Sequence, residues 1–332
     1  MGGMAVLEWP LCSPPGYIRH IVPLATSARH SAWCISWGET QRQCIYSDPA
    51  YEDGYYIAQP SSGLAAARMT ALLTYRSRDS FESRFGRRPQ VVPASDPAHA
   101  MPILPLALSA ADQALIAHNE GHQRTSRRQS PAQTTPHSPV SERGPPFAPP
   151  PPPQPVFSAQ SYLRYQGAKF VARFDANCYI HLTRKMDTHD LARGRGAADP
   201  HLVDPQSQSQ SQSSDAQSSA LATVLATLPP RALVISIETD GLFTPTEQRD
   251  HATHIPGATL VVIPSPDGHD GFLLEFERIN RHVLEFLKRE LPAYYAREEG
   301  EGKEGGVELE LEDFAIKKTS LFGEAEADVT RW

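Results

Sequence analysis

Residues 259–276 read TLVVIPSPDGHDGFLLEF, which is a short apolar run, a glycine-flanked turn and the start of a second periodic segment. The apolar run predicts a buried strand. After the turn, apolar residues recur at helical spacing as far as Leu287, which predicts a helix with one apolar face. His269 therefore lies between the end of a strand and the start of a helix, where α/β proteins gather ligands and chemistry. It is either a general base, because imidazoles titrate near neutrality, or a surface histidine in a turn.

A second unit of the same kind lies upstream. Residues 232–245 read ALVISIETDGLFTP, so that Asp240 follows a buried strand and a helix begins near Thr246. Two such units in succession predict neighbouring parallel strands, whose right-handed crossovers bring both loops to one edge of the sheet. Asp240 is then placed to orient the imidazole of His269, as a carboxylate does in a catalytic triad. The alternative is that the two are independent polar residues in turns.

The composition limits the classes of function. The chain has 332 residues, of which 40% are hydrophobic, so it can form one large domain or two ordinary ones. Its net charge of −7 argues against broad binding to nucleic acids or anionic membranes. No apolar run approaches the roughly 20 residues of a membrane helix, and no secretory signal opens the chain. Four cysteines without zinc-like spacing predict buried free thiols and no metal site. We therefore expect a soluble, cytoplasmic protein.

Changes in composition divide the chain into a core, a helical lid and insertions. Buried strands are predicted near residues 20–27, 233 and 260. The expected segments are a core at 1–27 and 229–291, a helical lid at 28–88 and 158–196, a proline-rich insertion at 89–157, a Ser/Gln-rich insertion at 197–219 and an acidic tail at 292–332. The insertions are too polar or too rich in proline to bury enough surface to order themselves, so we expect them to be flexible.

Some residues have two interpretations at this stage. Arg68 and Tyr75 are seven residues apart on a predicted helix and so share a face, which by itself favours a solvated arginine beside a packed tyrosine. Asp187, His189 and Asp190 match no set of metal ligands that the spacing supports, so polar contacts at a helix end are favoured.

Taken together, the motifs resemble the homoserine O-acetyltransferases, which are acyltransferases of the α/β-hydrolase fold, and especially their fungal members. The resemblance covers residues 1–88, 158–196 and 229–291. It rests on MGGM (1–4), LEW (7–9), ATSAR (25–29), RQ (42–43), GLAAARM (63–69), LTYRS (73–77), FDAN (174–177), DGLF (240–243) and GHD (268–270). Each motif is weak alone, but their number and order are specific. The implied fold is the carboxyl-terminal part of an α/β-hydrolase, a parallel sheet with flanking helices and a helical lid.

The resemblance implies a two-step acyl transfer in methionine biosynthesis. Acetyl-CoA, a co-substrate rather than a bound cofactor, acylates a serine, and the hydroxyl of homoserine then takes the acetyl group. His269 matches the base, Asp240 the residue that orients it, and Met1 an oxyanion donor. Arg68 matches the residue that meets the substrate carboxylate, whereas Tyr75 and Asp270 match pocket positions, with Asp270 facing the amine. A homodimer through the lid is also implied.

The family nucleophile stands in the motif Gly-x-Ser-Met-Gly-Gly-Met, a strained elbow between a strand and a helix. Met1 of this chain matches the methionine after that serine, and Gly2 and Gly3 match the two glycines. The sequence as it stands is therefore expected to be amino-terminally truncated and inactive. The alternatives are a non-catalytic partner of the complete enzyme and an acetyltransferase that acts on serine or another alcohol. The choice between an acetyl and a succinyl donor is left open.

Overall fold

The computed structural model describes residues 1–89, 157–195 and 210–301. Its described residues divide into two units, of which the first contains residues 1–86, 163–195 and 210–301 and the second contains residues 87–89 and 157–162. The described part of the second unit contains a bridge between Pro89 and Phe157. Nearly all of the predicted proline-rich insertion, the first part of the Ser/Gln-rich one and most of the acidic tail lie outside the described residues.

Two of the three predicted strands form a parallel sheet in the described part of the chain. Strand β1 is Leu233–Ile237 and strand β2 is Thr259–Ile263, and they pair in register from Leu233 opposite Thr259 to Ile237 opposite Ile263. The helix Pro245–His254 connects them. All five residues of β1 are buried. Of β2 only Ile263 is buried, so the prediction of a buried strand at residues 259–263 is wrong, because among the described strands β2 has a neighbour on one side only. The parallel pair and its crossover helix confirm the predicted α/β class.

The segment at residues 20–27, predicted to be a third strand, is only partly one. Leu24 forms an isolated parallel bridge with Ile235. The N–H of Ile235 donates to the carbonyl of Pro23 at 3.0 Å, and the N–H of Ala25 donates to the carbonyl of Ile235 at 2.9 Å. Pro23 has no N–H to return, so the hydrogen-bond ladder is interrupted there. The segment therefore runs beside β1 as an extended neighbour and not as a complete strand.

Helices make up most of the remaining described structure. Before β1 they are Gly2–Cys12, Ala32–Tyr46, Ser61–Tyr75, Arg78–Arg84, Ser158–Val171, Ala176–Asp187 and Gln210–Leu225, and after β2 they are Gly271–Leu274, Phe276–Glu290 and Pro292–Glu301. Short 3-10 turns cover Pro49–Gly54 and Gly268–Asp270. Side-chain caps mark several starts: the Thr244 side chain and Glu247 form a reciprocal capping box before Pro245–His254.

Three local expectations need correction. Because proline cannot donate the backbone hydrogen bond of a helix interior, the sequence predicts that Pro10 limits the first helix to its first turns, but that helix continues through Pro10 to Cys12. The apolar spacing of residues 221–228 predicts a short amphipathic helix there. In the structure this helix extends back to Gln210, inside the Ser/Gln-rich segment that was predicted to be flexible, through residues that tolerate helix. Of the four cysteines, Cys12 and Cys178 are exposed rather than buried.

The core packs on both faces of β1. Val234 belongs to a cluster with Leu7, Ile21, Leu225 and Ile255. Leu233, Ile235 and Ile237 point to the other face and pack with Ile279 and Phe286 of the helix Phe276–Glu290. This alternation follows from the two-residue period of a strand, and each buried side chain of this size contributes about 1.5–3 kcal/mol. A separate apolar cluster, with Leu64 and Phe170 among its members, joins the helices that come before β1.

No helix in the described ranges is both long and apolar enough to cross a lipid bilayer.

His251 gives the fold a pH dependence. It is 3% exposed, and its Nε2 accepts the N–H of Ala28 at 3.2 Å, so the packed form is the neutral imidazole. Burial lowers the pKa of His251 from 6.5 to about 4. Between these two pH values the unfolded chain binds a proton at His251 that the folded chain does not bind. The contribution of His251 to the stability of the fold is therefore complete above pH 6.5 and is lost as the pH falls toward 4. We expect a loss of about 3 kcal/mol in the free energy of unfolding over that range.

Urea unfolding between pH 7.5 and 4.5 measures this loss. The H251Q variant should show a flatter pH dependence, whereas H282Q, at a histidine whose side chain is 36% exposed, should keep the original slope. Equal slopes in the two variants would exclude His251 as the source.

Candidate active site

A cavity of about 330 Å³ lies beside the loops that follow the two strands. It brings together five of the six predicted site residues, namely Met1, Arg68, Tyr75, His269 and Asp270. The other lining residues are His30, Cys34, Trp37, Gly38, Gln41, Thr74, Thr183, Met186, Asp187, Leu242, Phe243, Phe272 and Leu273. Residues that are more than two hundred positions apart in sequence thus share one wall.

The sixth predicted residue, Asp240, contacts the imidazole from behind. Its Oδ2 lies 2.8 Å from Nδ1 of His269, and its side chain has no exposed surface. Its Oδ1 accepts the N–H groups of Leu242 at 2.8 Å and Phe243 at 3.0 Å. Because both oxygens are engaged, the carboxylate cannot rotate away. The geometry assigns the Nδ1 proton to the contact with Asp240, which leaves Nε2 of His269 free to accept a proton.

Two further contacts fix the imidazole. The ring lies 5.2 Å from the ring of Phe243 and 5.0 Å from that of Phe272, measured between centroids. The hydroxyl of Thr239 donates to the carbonyl of Ser265 at 2.7 Å and accepts the N–H of Gly268 at 2.9 Å. Thr239 therefore joins the loop of Asp240 to the loop of His269, a role that no pattern in the sequence indicated.

Gly268 allows a close approach that sets the position of His269. Its φ is +67°, and a Cβ there would lie 2.5 Å from the backbone nitrogen of Ser77 and 2.9 Å from the carbonyl oxygen of Tyr75. No side chain can be accommodated at these distances, and a positive φ also favours glycine. The loop can therefore pack directly against the end of the helix that carries Arg68 and Tyr75.

Arg68 and Tyr75 do share a helical face. Nη1 of Arg68 donates to the hydroxyl of Tyr75 at 3.3 Å. The guanidinium carbon lies 4.7 Å from the ring centroid of Phe170 and 5.3 Å from that of Tyr75. The arginine is therefore half-buried against aromatic rings in the cavity wall, and the interpretation as a solvated side chain is wrong.

Asp270 lines the cavity but also has a partner in the protein. Its Oδ2 accepts Nε–H of Arg76 at 3.1 Å, and Nη1 of Arg76 donates to Asp267 at 2.8 Å. Burial raises the pKa of Asp270, and the positive charge of Arg76 opposes that shift. Sequence reasoning missed Arg76, because an arginine after a helix gives no signal of a partner nearly two hundred residues away.

The polar residues at the end of the helix Ala176–Asp187 have separate partners. Asp187 pairs with Arg42 at 2.6 Å, and Asp190 pairs with Arg29 at 3.0 Å. Nε2 of His189 contacts the carbonyl of Ser27 at 3.0 Å. These contacts confirm the predicted helix-end interactions. Within the described residues, no group of three or more His, Cys, Asp or Glu side chains is arranged to hold a metal ion.

Curated relatives match the whole chain. A protein of Cryptococcus neoformans named homoserine O-acetyltransferase is 50% identical over 387 aligned residues, which cover all of this chain and 71% of that protein. Proteins of the same name from Emericella nidulans and Saccharomyces cerevisiae are 46% and 44% identical, and this chain covers 67% of each. No family model matches the sequence.

Solved structures match the fold. The homoserine O-acetyltransferase of Bacillus anthracis aligns with a TM-score of 0.54 at 15% identity, over 86% of this chain and 57% of that one. The acetyl esterase MekB aligns with a TM-score of 0.51 at 16% identity, over 86% and 59%. The chain thus spans less than two thirds of these α/β-hydrolase structures. The identity to the curated relatives, over so much of their length, shows that this chain belongs to the homoserine O-acetyltransferase family of acyltransferases.

Proposed function

We propose that this chain supplies the base, its orienting carboxylate and the substrate pocket of an enzyme that transfers acetyl from acetyl-CoA to the hydroxyl of L-homoserine. The reaction would serve methionine synthesis in the cytoplasm. The observation that carries the proposal is the 2.8 Å contact of Asp240 with His269, whose imidazole lines a cavity together with Arg68 and Asp270.

In the first step, the serine of the family elbow attacks the acetyl thioester while Nε2 of His269 takes its proton. Asp240 stabilises the imidazolium, and the N–H of Met1, which follows the serine in the family motif, donates to the oxyanion. The C–S bond then breaks, and the thiolate of CoA leaves with the proton from His269. In the second step, Nε2 takes the proton of the homoserine hydroxyl as its oxygen attacks the acyl-serine. The serine oxygen recovers that proton when the ester bond breaks.

The charged groups in the cavity match those of the proposed acceptor, homoserine. The guanidinium of Arg68 suits a carboxylate, because it can donate two parallel hydrogen bonds. Asp270 presents a carboxylate in the same cavity and suits the α-ammonium group, although it shares its charge with Arg76. Tyr75 contacts Arg68 and limits the directions in which the guanidinium can point. An α-amino acid with a side-chain hydroxyl fits this set of charges.

The cavity wall offers no substitute for the family serine. Of the described residues that line it, none is a serine. The thiol of Cys34 lies in the wall, but it donates to the carbonyl of Leu242 at 3.3 Å, and burial raises the pKa of Cys34. A protonated thiol is a poor nucleophile. We therefore propose that residues 1–332, used without the elbow serine, do not turn over.

The experiment compares three polypeptides in an assay for free CoA. Residues 1–332 alone should stay at background with acetyl-CoA and homoserine. The same residues joined to the segment that precedes the matching methionine in the Cryptococcus neoformans relative should release CoA in a homoserine-dependent manner. The joined chain with alanine at the elbow serine should not.

Three results would contradict separate parts of this proposal. Enzymatic release by residues 1–332 alone would contradict the requirement for the serine. A joined chain that prefers L-serine over L-homoserine would contradict the proposed acceptor. A joined chain that folds, remains inactive and co-elutes with the active relative would favour a non-catalytic partner.

We also propose a homodimer through the lid helices. Trp33 on the helix Ala32–Tyr46 is 59% exposed, and exposed tryptophans are typical of interfaces. Light scattering should give twice the monomer mass, and a W33D variant should give the monomer mass if this face is the interface.

A further inference from the structure

Gln41 lines the cavity but has no role in the proposed reaction. It lies on the helix Ala32–Tyr46 and is 7% exposed. Its Oε1 accepts the hydroxyl of Tyr179 at 2.6 Å, in a buried hydrogen bond between two helices. Its Nε2 makes no hydrogen bond to any described residue, yet it is not sealed from solvent. Gln41 therefore presents an N–H donor to the cavity.

The hydroxyl of Tyr179 determines which end of the amide faces the cavity. Tyr179 is buried, and burial raises the pKa of its phenol, so the phenol keeps its proton. Among the described residues, Gln41 is the one hydrogen-bond partner of this hydroxyl. A buried proton needs an acceptor, so the hydroxyl donates to Oε1 and does not accept from Nε2. The N–H groups of Nε2 are thereby left for a ligand in the cavity.

The same tyrosine connects Gln41 to Arg68. The ring of Tyr179 packs edge-on against Phe170, with the ring centroids 5.7 Å apart. The guanidinium carbon of Arg68 lies 4.7 Å from the ring centroid of Phe170. Burial raises the pKa of Tyr179, and the positive charge of Arg68 opposes that rise, so the phenol and the guanidinium are close enough to interact. Gln41 and Arg68 are thus held in the same cavity wall by two packed aromatic rings.

An amide donor linked in this way to a guanidinium suits an anionic oxygen ligand. The oxygens of the proposed substrates that could accept from Gln41 are those of the amino-acid carboxylate and the carbonyls of the acyl donor. Arg68 favours the carboxylate, because a guanidinium pairs with negative charge. The two oxygens of a carboxylate offer about four acceptor positions. One carboxylate can therefore accept from Arg68 and from Gln41 together.

We propose that Gln41 is a specificity-determining residue whose Nε2 donates to the carboxylate of the acceptor amino acid, alongside Arg68. The inference rests on the proposed function, because it takes L-homoserine as the acceptor. Arg68 supplies the charge. Gln41 fixes the orientation of the carboxylate, because its amide cannot turn without breaking the hydrogen bond to Tyr179. An alcohol without a carboxylate gains nothing from either residue.

Calorimetric titration of residues 1–332 with L-homoserine tests this contact without any need for turnover. The second probe is the analogue of L-homoserine that has a hydroxymethyl group in place of the carboxylate. In the Q41E variant one carboxylate oxygen can still accept from Tyr179, but the other replaces the N–H donor by an acceptor. Q41E should weaken the binding of L-homoserine by about tenfold or more, the loss expected for a hydrogen bond to a charged group. Binding of the analogue should not weaken.

Two more variants separate recognition from folding. Gln43 is exposed on the same helix, does not line the cavity and donates to Glu39 at 2.7 Å. Q43E makes the same change of charge there and should leave the binding of L-homoserine within about twofold. Y179F keeps the donor but releases the amide from its anchor, so it should also lower the preference for L-homoserine over the analogue. It decides the case if Q41E does not fold, which thermal unfolding reports.

Three results would overturn the assignment. One is a wild-type chain that does not prefer L-homoserine over the analogue. Another is a loss of affinity for both probes by the same factor in Q41E and Y179F, as expected if the two residues only support the packing of their helices. The third is unchanged binding of L-homoserine in Q41E. The proposed function fails separately: if L-homoserine binds in a Gln41-dependent manner but the joined chain never acetylates it, the site is kept and the function is lost.

Discussion

Replacing Asp240 by asparagine is expected to lower kcat for homoserine acetylation by about 10⁴-fold in the joined chain that carries the elbow serine. The Oδ1 atom of asparagine can still accept the N–H groups of Leu242 and Phe243, so the loop should keep its shape. The amide NH₂ would instead face Nδ1 of His269 and force the proton onto Nε2. The imidazole would then be in the wrong tautomer to accept a proton, and no carboxylate would stabilise the imidazolium. H269A should cause a loss of the same order.

Another histidine–aspartate contact provides the control for this prediction. His254 lies 3.3 Å from Asp250 on the helix Pro245–His254, but both side chains are at least one third exposed. D250N and H254A should keep activity within about twofold, because exposed pairs contribute little. The double variant D240N/H269A should be no slower than H269A alone, since the two act as one unit. If the losses in kcat caused by D240N and H269A multiplied in the double variant, the two residues would act independently, and this would contradict the pairing.

Replacing Arg68 by lysine is expected to raise KM for homoserine by about 10- to 100-fold, because lysine keeps the charge but loses the two-point contact with a carboxylate. It also loses the stacking of the guanidinium against Phe170 and Tyr75. Initial rates at varied homoserine concentration measure the effect. The slow release of CoA in the absence of an acceptor should not change, since Arg68 is proposed to contact only the acceptor.

Arg289 provides the matched control for Arg68. Its guanidinium carbon lies 5.4 Å from the ring centroid of Phe286, at a site that does not line the cavity. R289K should therefore leave both kinetic parameters within about twofold. If R68K lowered CoA release with and without homoserine by the same factor, Arg68 would be acting on the acyl donor or on the fold.

The sequence predicted the two strands and the pairing of their loops because both depend on local patterns. Apolar runs, glycine-flanked turns and helical periodicity are carried by neighbouring residues, and the rule for parallel crossovers then places Asp240 and His269 together. The same reasoning predicted a complete strand at residues 20–27, where the structure has only an extended segment beside β1. One proline removes a ladder hydrogen bond there without changing the apolar pattern.

Residues that act through distant partners left no such pattern. Arg76 pairs with Asp267 and Asp270, and Thr239 joins two loops through its hydroxyl. In sequence they are an arginine after a helix and a threonine after a strand. The closeness of Gly38 to Asp187 likewise depends on how two separate helices pack.

Local periodicity was enough to predict the α/β class, and the number and order of the motifs were enough to predict the family; the six site residues that this resemblance implies stay a prediction. The tertiary structure was needed to show that five of those residues line one cavity and that Asp270 shares its charge with Arg76. The physical reason is the range of the interactions. Strand and helix patterns arise between residues a few positions apart, whereas buried ion pairs and cavities depend on distances between side chains that only packing brings together.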